Sequence, residues 1–120
     1  MEFVIYALDK PGDGQPRQQV RAAHLRVAMA HAEHFIFAGP LLGEDGHPRG
    51  SLYVLRFEDR AALDAYMAQD PYFSAGVYES VTVWPSRQVV PEALPGALQA
   101  ELERQLAADA DRAQATAPSR

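Results

Sequence analysis

Apolar residues follow two different periods along the first 90 positions of the chain. Four short runs are rich in β-branched and aromatic residues, and they predict strands over residues 3–8, 35–42, 51–57 and 77–83, the last extending towards residue 90. The third run places large apolar residues on both of its alternating faces. These strands therefore require cover on both faces of the sheet that they form.

Two segments between the strands are predicted to be helices. Residues 16–35 contain no interior Pro or Gly, and the second helix follows Asp59, which stands at an N-cap position. The second helix ends near Asp70, because the residue before Pro71 is disfavoured in helical geometry. The predicted inward-facing stripe of the first helix comprises Leu25, Ala28, Met29, Ala32 and Ile36.

The order strand, helix, strand, strand, helix, strand predicts an α+β fold of the ferredoxin-like split-βαβ type (βαββαβ). In this arrangement two helices pack on one face of a four-stranded antiparallel sheet. The other face would remain open although its strands are apolar. We therefore expect a homodimer in which a second copy covers the open face.

The C-terminal quarter of the chain has a different pattern. Leucines recur every four residues at 94, 98, 102 and 106, which predicts an additional helix over residues 91–106 with a narrow apolar ridge. We expect this ridge to pack on a partner or on the edge of a domain that spans residues 1–90. Residues 107–120 are Ala-rich and polar, and we predict that they are disordered.

Composition excludes several classes of protein. The chain has 120 residues and no cysteine, so neither disulfides nor thiol chemistry is expected. Its net charge of −5 does not attract phosphates, so nucleic-acid binding is not expected. The longest apolar stretches are only a few residues long, which predicts neither a membrane-spanning helix nor a signal peptide. We expect a cytoplasmic protein with a single domain followed by an extension.

Three of the four histidines lie on the first predicted helix. His24 and His31 are separated by about 10 Å along its axis at ~1.5 Å per residue, so they cannot share one metal ion. His31 and His34 are closer, but no third ligand accompanies them, and we interpret both as solvated or rim residues. No glycine-rich phosphate-binding motif is present. We expect neither a metal nor a cofactor.

His24 and Asp70 are the residues best suited to acid–base chemistry. His24 lies at the border of the apolar stripe, where either a structural hydrogen bond or a functional role is possible. Asp70 lies at the C-terminal end of a helix, where a carboxylate is disfavoured by the helix dipole. It either punctuates an Asp-Pro turn or holds one ring nitrogen of a histidine. Because both predicted helices pack on the same sheet face, the two residues are able to meet.

Polar-tipped residues within or beside the strands are candidates for a small-molecule pocket. Each also has a structural interpretation: Tyr53 and the other tyrosines pack with a bonded hydroxyl, Gly39-Pro40 forms a bulge, and Arg21 forms a salt bridge. An acidic neighbour would favour that salt bridge over an anion-binding role for Arg21. The residues predicted to bind a small-molecule ligand are Arg21, Tyr6, Gly39, Pro40, Ser51 and Tyr72.

Four segments together resemble the YciI-like (YCII-related) family. They are Phe-Val-Ile-Tyr-Ala-Leu-Asp at 3–9, Val-Arg-Ala-Ala-His-Leu at 20–25, Ala-Gly-Pro-Leu at 38–41 and Asp-Pro-Tyr-Phe-Ser-Ala-Gly-Val-Tyr at 70–78. The resemblance implies a dimeric α+β barrel with a pocket in each subunit and a His-Asp pair, which maps onto His24 and Asp70. It also implies cofactor-free chemistry on small molecules, including loss of hydrogen halide from a chlorinated ring.

Three functions remain open at this point. The leading hypothesis is a lyase- or isomerase-like enzyme in which His24, oriented by Asp70, transfers a proton of a small organic metabolite. The alternative is a non-catalytic dimer that binds or senses a small ligand. A cofactor-independent monooxygenase is a third, supported only by analogy of fold.

Overall fold

The computed structural model describes residues 1–116 and confirms the α+β class. Its antiparallel sheet has the strand order β2-β3-β1-β4, as the ferredoxin-like arrangement requires. A short 3₁₀ turn at Ala32–His34 precedes β2. The elements are β1 (Glu2–Asp9), α1 (Gln15–Ala30), β2 (Phe35–Leu42), β3 (Pro48–Arg56), α2 (Arg60–Gln69), α3 (Pro71–Ser74), β4 (Tyr78–Ser86) and α4 (Ala97–Ala115).

The two faces of the sheet differ in burial although both are apolar. On β1, Phe3, Ile5 and Ala7 are buried, whereas Tyr6 and Leu8 are exposed. The register extends the buried face to β3, since the three buried residues pair in turn with Leu55, Tyr53 and Ser51. The core therefore lies on one face of the sheet, and side chains on this face can reach a site beside α1.

The inward face of α1 differs from the predicted stripe. Leu25 and Met29 are exposed, Met29 to 77%. Val20 and Val27 pack against the core instead, and Arg17 is buried on the same side of the helix. The predicted stripe was wrong because it is rotated about the helix axis from the face that packs on the core. It was assigned from the apolar residues alone. The packed face is partly polar, since Arg17 and His24 occupy positions that a purely structural helix fills with apolar side chains.

The second helix follows its sequence signals. Asp59 has extended backbone geometry and accepts a hydrogen bond from the backbone N–H of Ala62 at 2.9 Å, as an N-cap residue does. Leu63 and Tyr66 are buried on the inward face of this helix. The helix ends at Gln69, and Pro71 begins the four-residue α3. Asp70 is therefore held in an extended conformation between two helices.

Residues 88–116 belong to a compact unit of their own, and residues 1–87 form the other. The helix predicted over 91–106 begins later, at Ala97, because Pro95 disfavours helical geometry before it and Gly96 adopts a positive φ of 83°. It continues to Ala115, so residues 107–115 are helical where disorder was predicted. Alanine, the best helix former, dominates that stretch. The same prediction for residues 117–120 lies outside the described part of the chain.

The open face of the sheet carries exposed aromatic residues. Tyr6, Phe37 and Trp84 are 45%, 55% and 62% exposed, and Val4 and Val54 lie beside them on the same face. The homodimer expected through this face stays a prediction. No helix within residues 1–116 is both long and apolar enough to cross a membrane.

Removal of the α2 cap tests the local account of this helix. Asp59→Ala leaves the Ala62 N–H without its partner and should lower the free energy of unfolding by about 1 kcal/mol, measured by urea denaturation. Asp64→Ala is the matched control, because the pair that Asp64 forms with Arg60 is exposed and its loss should cost about 0.3 kcal/mol. Equal losses in the two variants would contradict the capping role.

Candidate active site

A cavity of about 390 Å³ lies between α1, α3 and the β2–β3 side of the sheet. Its apolar wall is formed by Leu25, Ala28 and Phe35. Most of the residues predicted for the site line it, together with Arg17 and Tyr53. The predicted residues that line the cavity are Arg21, His24, Gly39, Pro40, Ser51 and Tyr72.

Tyr6 is the exception among the predicted binding residues. Its neighbours on β1, Ile5 and Ala7, point into the core, so Tyr6 projects from the opposite face of the sheet, where it is 45% exposed. It pairs there with Leu52 and Thr82. The assignment of Tyr6 to the pocket was wrong because β1 is apolar on both faces, and its sequence did not distinguish the two.

His24 and Asp70 meet at the cavity although 46 positions separate them. His24 Nδ1 lies 2.8 Å from Asp70 Oδ1, with the carboxylate fully buried and the imidazole 12% exposed. Asp70 Oδ1 also accepts from the Tyr72 backbone N–H at 3.0 Å, and Oδ2 accepts from the Tyr66 hydroxyl at 2.8 Å. An ionised carboxylate only accepts hydrogen bonds, so in neutral His24 the proton resides on Nδ1 and Nε2 keeps its lone pair.

Asp70 both forms an Asp-Pro turn and bonds a histidine nitrogen, the two roles that the sequence left as alternatives. Asp70 ends α2 and is also the N-cap of α3, where its side chain accepts from the first turn. The unfavourable position expected from the dipole of α2 is therefore relieved, because the carboxylate faces the N–H groups that begin the next helix. The Asp-Pro turn holds Asp70 in the geometry that lets it reach His24.

Tyr72 fixes the plane of the His24 ring. The two rings stack with centroids 3.6 Å apart and planes 4° apart, and Tyr72 is buried. Arg21 Nη1 donates to the Tyr72 hydroxyl at 3.2 Å. No carboxylate within residues 1–116 pairs with Arg21, so the salt bridge considered as its alternative role is not formed in the described chain. Its guanidinium lines the cavity as a positive group.

Arg17 was missed in the sequence and is the most highly connected side chain of the site. It is 4% exposed and binds Asp9 through two hydrogen bonds of 2.9 and 2.8 Å. It also donates to the Gly50 carbonyl and to Ser51 Oγ, both at 2.9 Å. Burial alone would lower the pKa of Arg17, but the Asp9 carboxylate outweighs that effect and raises it. The spacing of Arg17, Arg21 and His24, which places them on one face of α1, could have indicated it.

Three hydroxyl groups form a buried chain beside Arg17. The Tyr78 hydroxyl donates to Ser51 Oγ at 2.8 Å and lies 2.6 Å from the Tyr53 hydroxyl. Burial raises the pKa of Tyr78 to about 12, and it raises the pKa of Tyr53 further. Both phenols therefore keep their protons over the neutral range. Sequence analysis considered Tyr53 and Ser51 but did not identify Tyr78, which links them.

His31 and His34 lie outside the cavity. Their Nδ1 atoms bond to the backbone carbonyls of Val27 and Arg56, each at 2.8 Å. No group of three or more potential metal ligands occurs in the described part of the chain. The expectation of a metal-free protein stays a prediction.

Comparison with known proteins confirms the resemblance noted in the sequence. Residues 1–87 match the YCII-related domain. The chain belongs to the YCII-related family. It is 39% identical over 97 residues to Protein YciI of Escherichia coli O6:H1, an alignment that covers 74% of this chain and 99% of the relative. An uncharacterised protein of Haemophilus influenzae is 38% identical with the same coverage.

A solved structure of known activity is similar over the same region. It is the 5-chloro-2-hydroxyhydroquinone dehydrochlorinase of Burkholderia phenoliruptrix AC1100, in complex with 2,5-dihydroxybenzoquinone. The similarity has a TM-score of 0.68 at 28% identity and covers 73% of this chain and 95% of that one. A protein with a similar fold therefore acts as an enzyme on a small molecule.

The raised pKa of Tyr78 predicts how stability depends on alkaline pH. Above a pH of about 10 the tyrosines of the unfolded chain lose their protons, whereas folded Tyr78 retains its proton up to about 12. The free energy of unfolding should therefore fall as the pH rises through this window. Tyr78→Phe should make that fall shallower, as followed by urea unfolding from about pH 8 to about pH 12.

Ser74→Ala is the control for this measurement, because Ser74 is exposed at the end of α3 and its side chain is not a phenol. Its pH profile should have the slope of the wild type. A Tyr78→Phe profile as steep as that of the wild type would contradict the assigned protonation of the buried chain.

Proposed function

We propose that the protein is a cofactor-free enzyme in which His24 acts as general base on a small organic molecule bound in the cavity. The observation that carries the proposal is the hydrogen bond between His24 Nδ1 and the buried Asp70 carboxylate. It leaves Nε2 as the basic atom of the ring, and Asp70 stabilises the imidazolium that forms when Nε2 takes a proton.

The reaction class follows from the groups that line the cavity. A histidine base that shares a cavity with a guanidinium and hydroxyl groups suits removal of a proton from carbon beside a carbonyl group. The C–H electron pair forms a C=C bond, and the carbonyl π pair moves onto oxygen. The intermediate then takes a proton back at another carbon, or expels a leaving group such as halide with its electron pair. Isomerase and lyase outcomes thus share the first step.

Arg21 supports a substrate with an anionic group. Its guanidinium lines the cavity, and its bond to Tyr72 leaves its charge uncompensated by any carboxylate among the described residues. A carboxylate, phenolate or enolate is the chemistry that such a group attracts. The structurally similar dehydrochlorinase was solved with 2,5-dihydroxybenzoquinone. This supports a substrate whose ring has about the size and polarity of that compound.

The open sheet face supports a homodimeric assembly as part of the same proposal. Exposed Tyr6, Phe37 and Trp84 form an apolar surface of a kind that soluble monomers rarely present. A second copy meeting this face would bury it and leave the cavity free, because the cavity lies on the helix side of the sheet. The assembly and the chemistry are therefore independent in this proposal.

Hydrogen exchange at carbon tests the proposed base. A panel of small carbonyl compounds, cyclic and chlorinated ones included, is incubated with the protein in D₂O, and the C–H signals are followed by NMR. The account expects at least one compound to exchange more than about 100-fold faster than in buffer. His24→Gln should remove this acceleration, and Asp70→Asn should reduce it at least tenfold.

The matched control is His34→Gln, since His34 lies outside the cavity and should leave exchange within about twofold of the wild type. Exchange that survives His24→Gln would refute the base assignment. Compounds that bind in the cavity without exchanging would instead favour the non-catalytic ligand-binding function.

A further inference from the structure

The chemistry of the cavity changes along its length. The wall that α1 contributes runs from Arg17 through Arg21, His24 and Leu25 to Ala28. These positions span about 16 Å of the helix axis at ~1.5 Å per residue. The two arginines come first, the proposed base follows them, and the lining residues after the base are apolar. The cavity therefore has a charged end and an apolar end, with the base between them.

The sheet side of the cavity has the same order. Ser51 Oγ accepts a hydrogen bond from the first of the two arginines at 2.9 Å. The ring of Tyr53, two residues later on β3, lies 6.5 Å from the ring of His24. The register continues this order, because Phe35 on β2 pairs with Leu55, two residues beyond Tyr53. Both walls thus become apolar beyond the level of His24.

Leu25, Ala28 and Phe35 form the apolar end of the cavity. The Phe35 ring meets Tyr66 edge to face, with ring centroids 5.8 Å apart and planes 84° apart, and this contact holds it in place without a ligand. An alanine at position 28 leaves space beside that ring. Water in an apolar space forms few hydrogen bonds, so an apolar group that replaces the water gains free energy.

The cavity is larger than a single ring requires. A volume of about 150 Å³ is enough to hold benzene, whereas this cavity has about 390 Å³. A bare ring that places its anionic group at Arg21 and its reacting carbon at His24 therefore leaves the apolar end unfilled.

We propose that the substrate carries an apolar substituent on the far side of its reacting carbon from its anionic group. This inference rests on the proposed function and deepens it, because it names the substrate class as an amphiphilic anion. Arg21 binds the charged group, and His24 faces the carbon between the two ends of the molecule. The substituent lies against Leu25, Ala28 and Phe35.

A series of para-substituted benzoates tests the apolar end by binding alone. Benzoate and its 4-methyl, 4-ethyl and 4-propyl derivatives carry a carboxylate and an alkyl chain at opposite ends of one ring. Calorimetric titration should show the affinity rising about fourfold with each methylene that becomes buried. The comparison is 4-(2-hydroxyethyl)benzoate, whose chain has as many heavy atoms as propyl. It should bind less than about threefold tighter than benzoate, because its hydroxyl loses hydrogen bonds to water at the apolar end.

Substitutions at the two ends should act differently on the ratio of propylbenzoate affinity to benzoate affinity. Ala28→Phe fills the apolar end and should reduce this ratio to less than about twofold. Ala22→Phe is the matched control and should keep the ratio, since Ala22 is exposed on α1 and does not line the cavity. Arg21→Gln should weaken binding of every benzoate by a similar factor and leave the ratio unchanged.

Leu25→Ser decides the question if Ala28→Phe does not fold, as judged by circular dichroism. Leu25 is 43% exposed, so its loss removes little packing from the core. It removes apolar surface from the cavity wall, and the ratio should fall roughly threefold.

Four results would each overturn the inference. They are an affinity that stays flat along the series, an equal gain for the hydroxyethyl compound, a ratio unaltered by both Ala28→Phe and Leu25→Ser, and a wild type that binds none of the benzoates. The result is separable from the role of His24, because benzoate binding requires no proton transfer from carbon. Hydrogen exchange that survives His24→Gln would refute the base and leave the dependence on chain length in place.

Discussion

The buried carboxylate of Asp70 is the constraint on which the arrangement of the helices depends. It is fully buried, and it accepts hydrogen bonds from three places in the chain: His24 on α1, Tyr66 on α2 and the backbone of Tyr72 on α3. A buried charge that loses such partners costs several kcal/mol. The three helices must therefore stand in one relative position for the carboxylate to be stable, and that position brings His24 to the cavity.

A second buried charge organises the other end of the same cavity. The Arg17 guanidinium joins α1 to Asp9 at the end of β1 and to Gly50 and Ser51 on β3. Tyr72 lies between the two systems, since it stacks on His24 and its ring also faces the Arg17 guanidinium at 4.7 Å. The buried polar groups that surround the cavity are thus the same groups that hold the helices in position on the sheet.

The strand order and the class of fold followed from the sequence because each strand is a short apolar run and Asp59 and Pro71 mark the bounds of the second helix. The phase of α1 did not follow, since Arg17 and His24 are polar and the pattern assigned the inward face to Leu25 and Met29. The same limit applies to the site. Asp70 was identifiable as anomalous and as able to meet His24, but the contact of 2.8 Å itself depends on packing between α1 and the segment that joins α2 to α3. Its bond to Tyr66, four residues earlier, is local to the end of α2. The network of Arg17 depends on the register of β1 and β3, which no local pattern contains.

The tautomer of neutral His24 tests the central claim most directly. Long-range ¹H–¹⁵N NMR of the folded protein distinguishes, in a neutral ring, a protonated nitrogen from one with a free lone pair. The account predicts a proton on Nδ1 and a free lone pair on Nε2, with this preference lost in Asp70→Asn. His31 and His34 serve as internal controls, because their Nδ1 atoms bond to carbonyls and should not respond. A proton on Nε2 of His24 in the wild type would contradict the account.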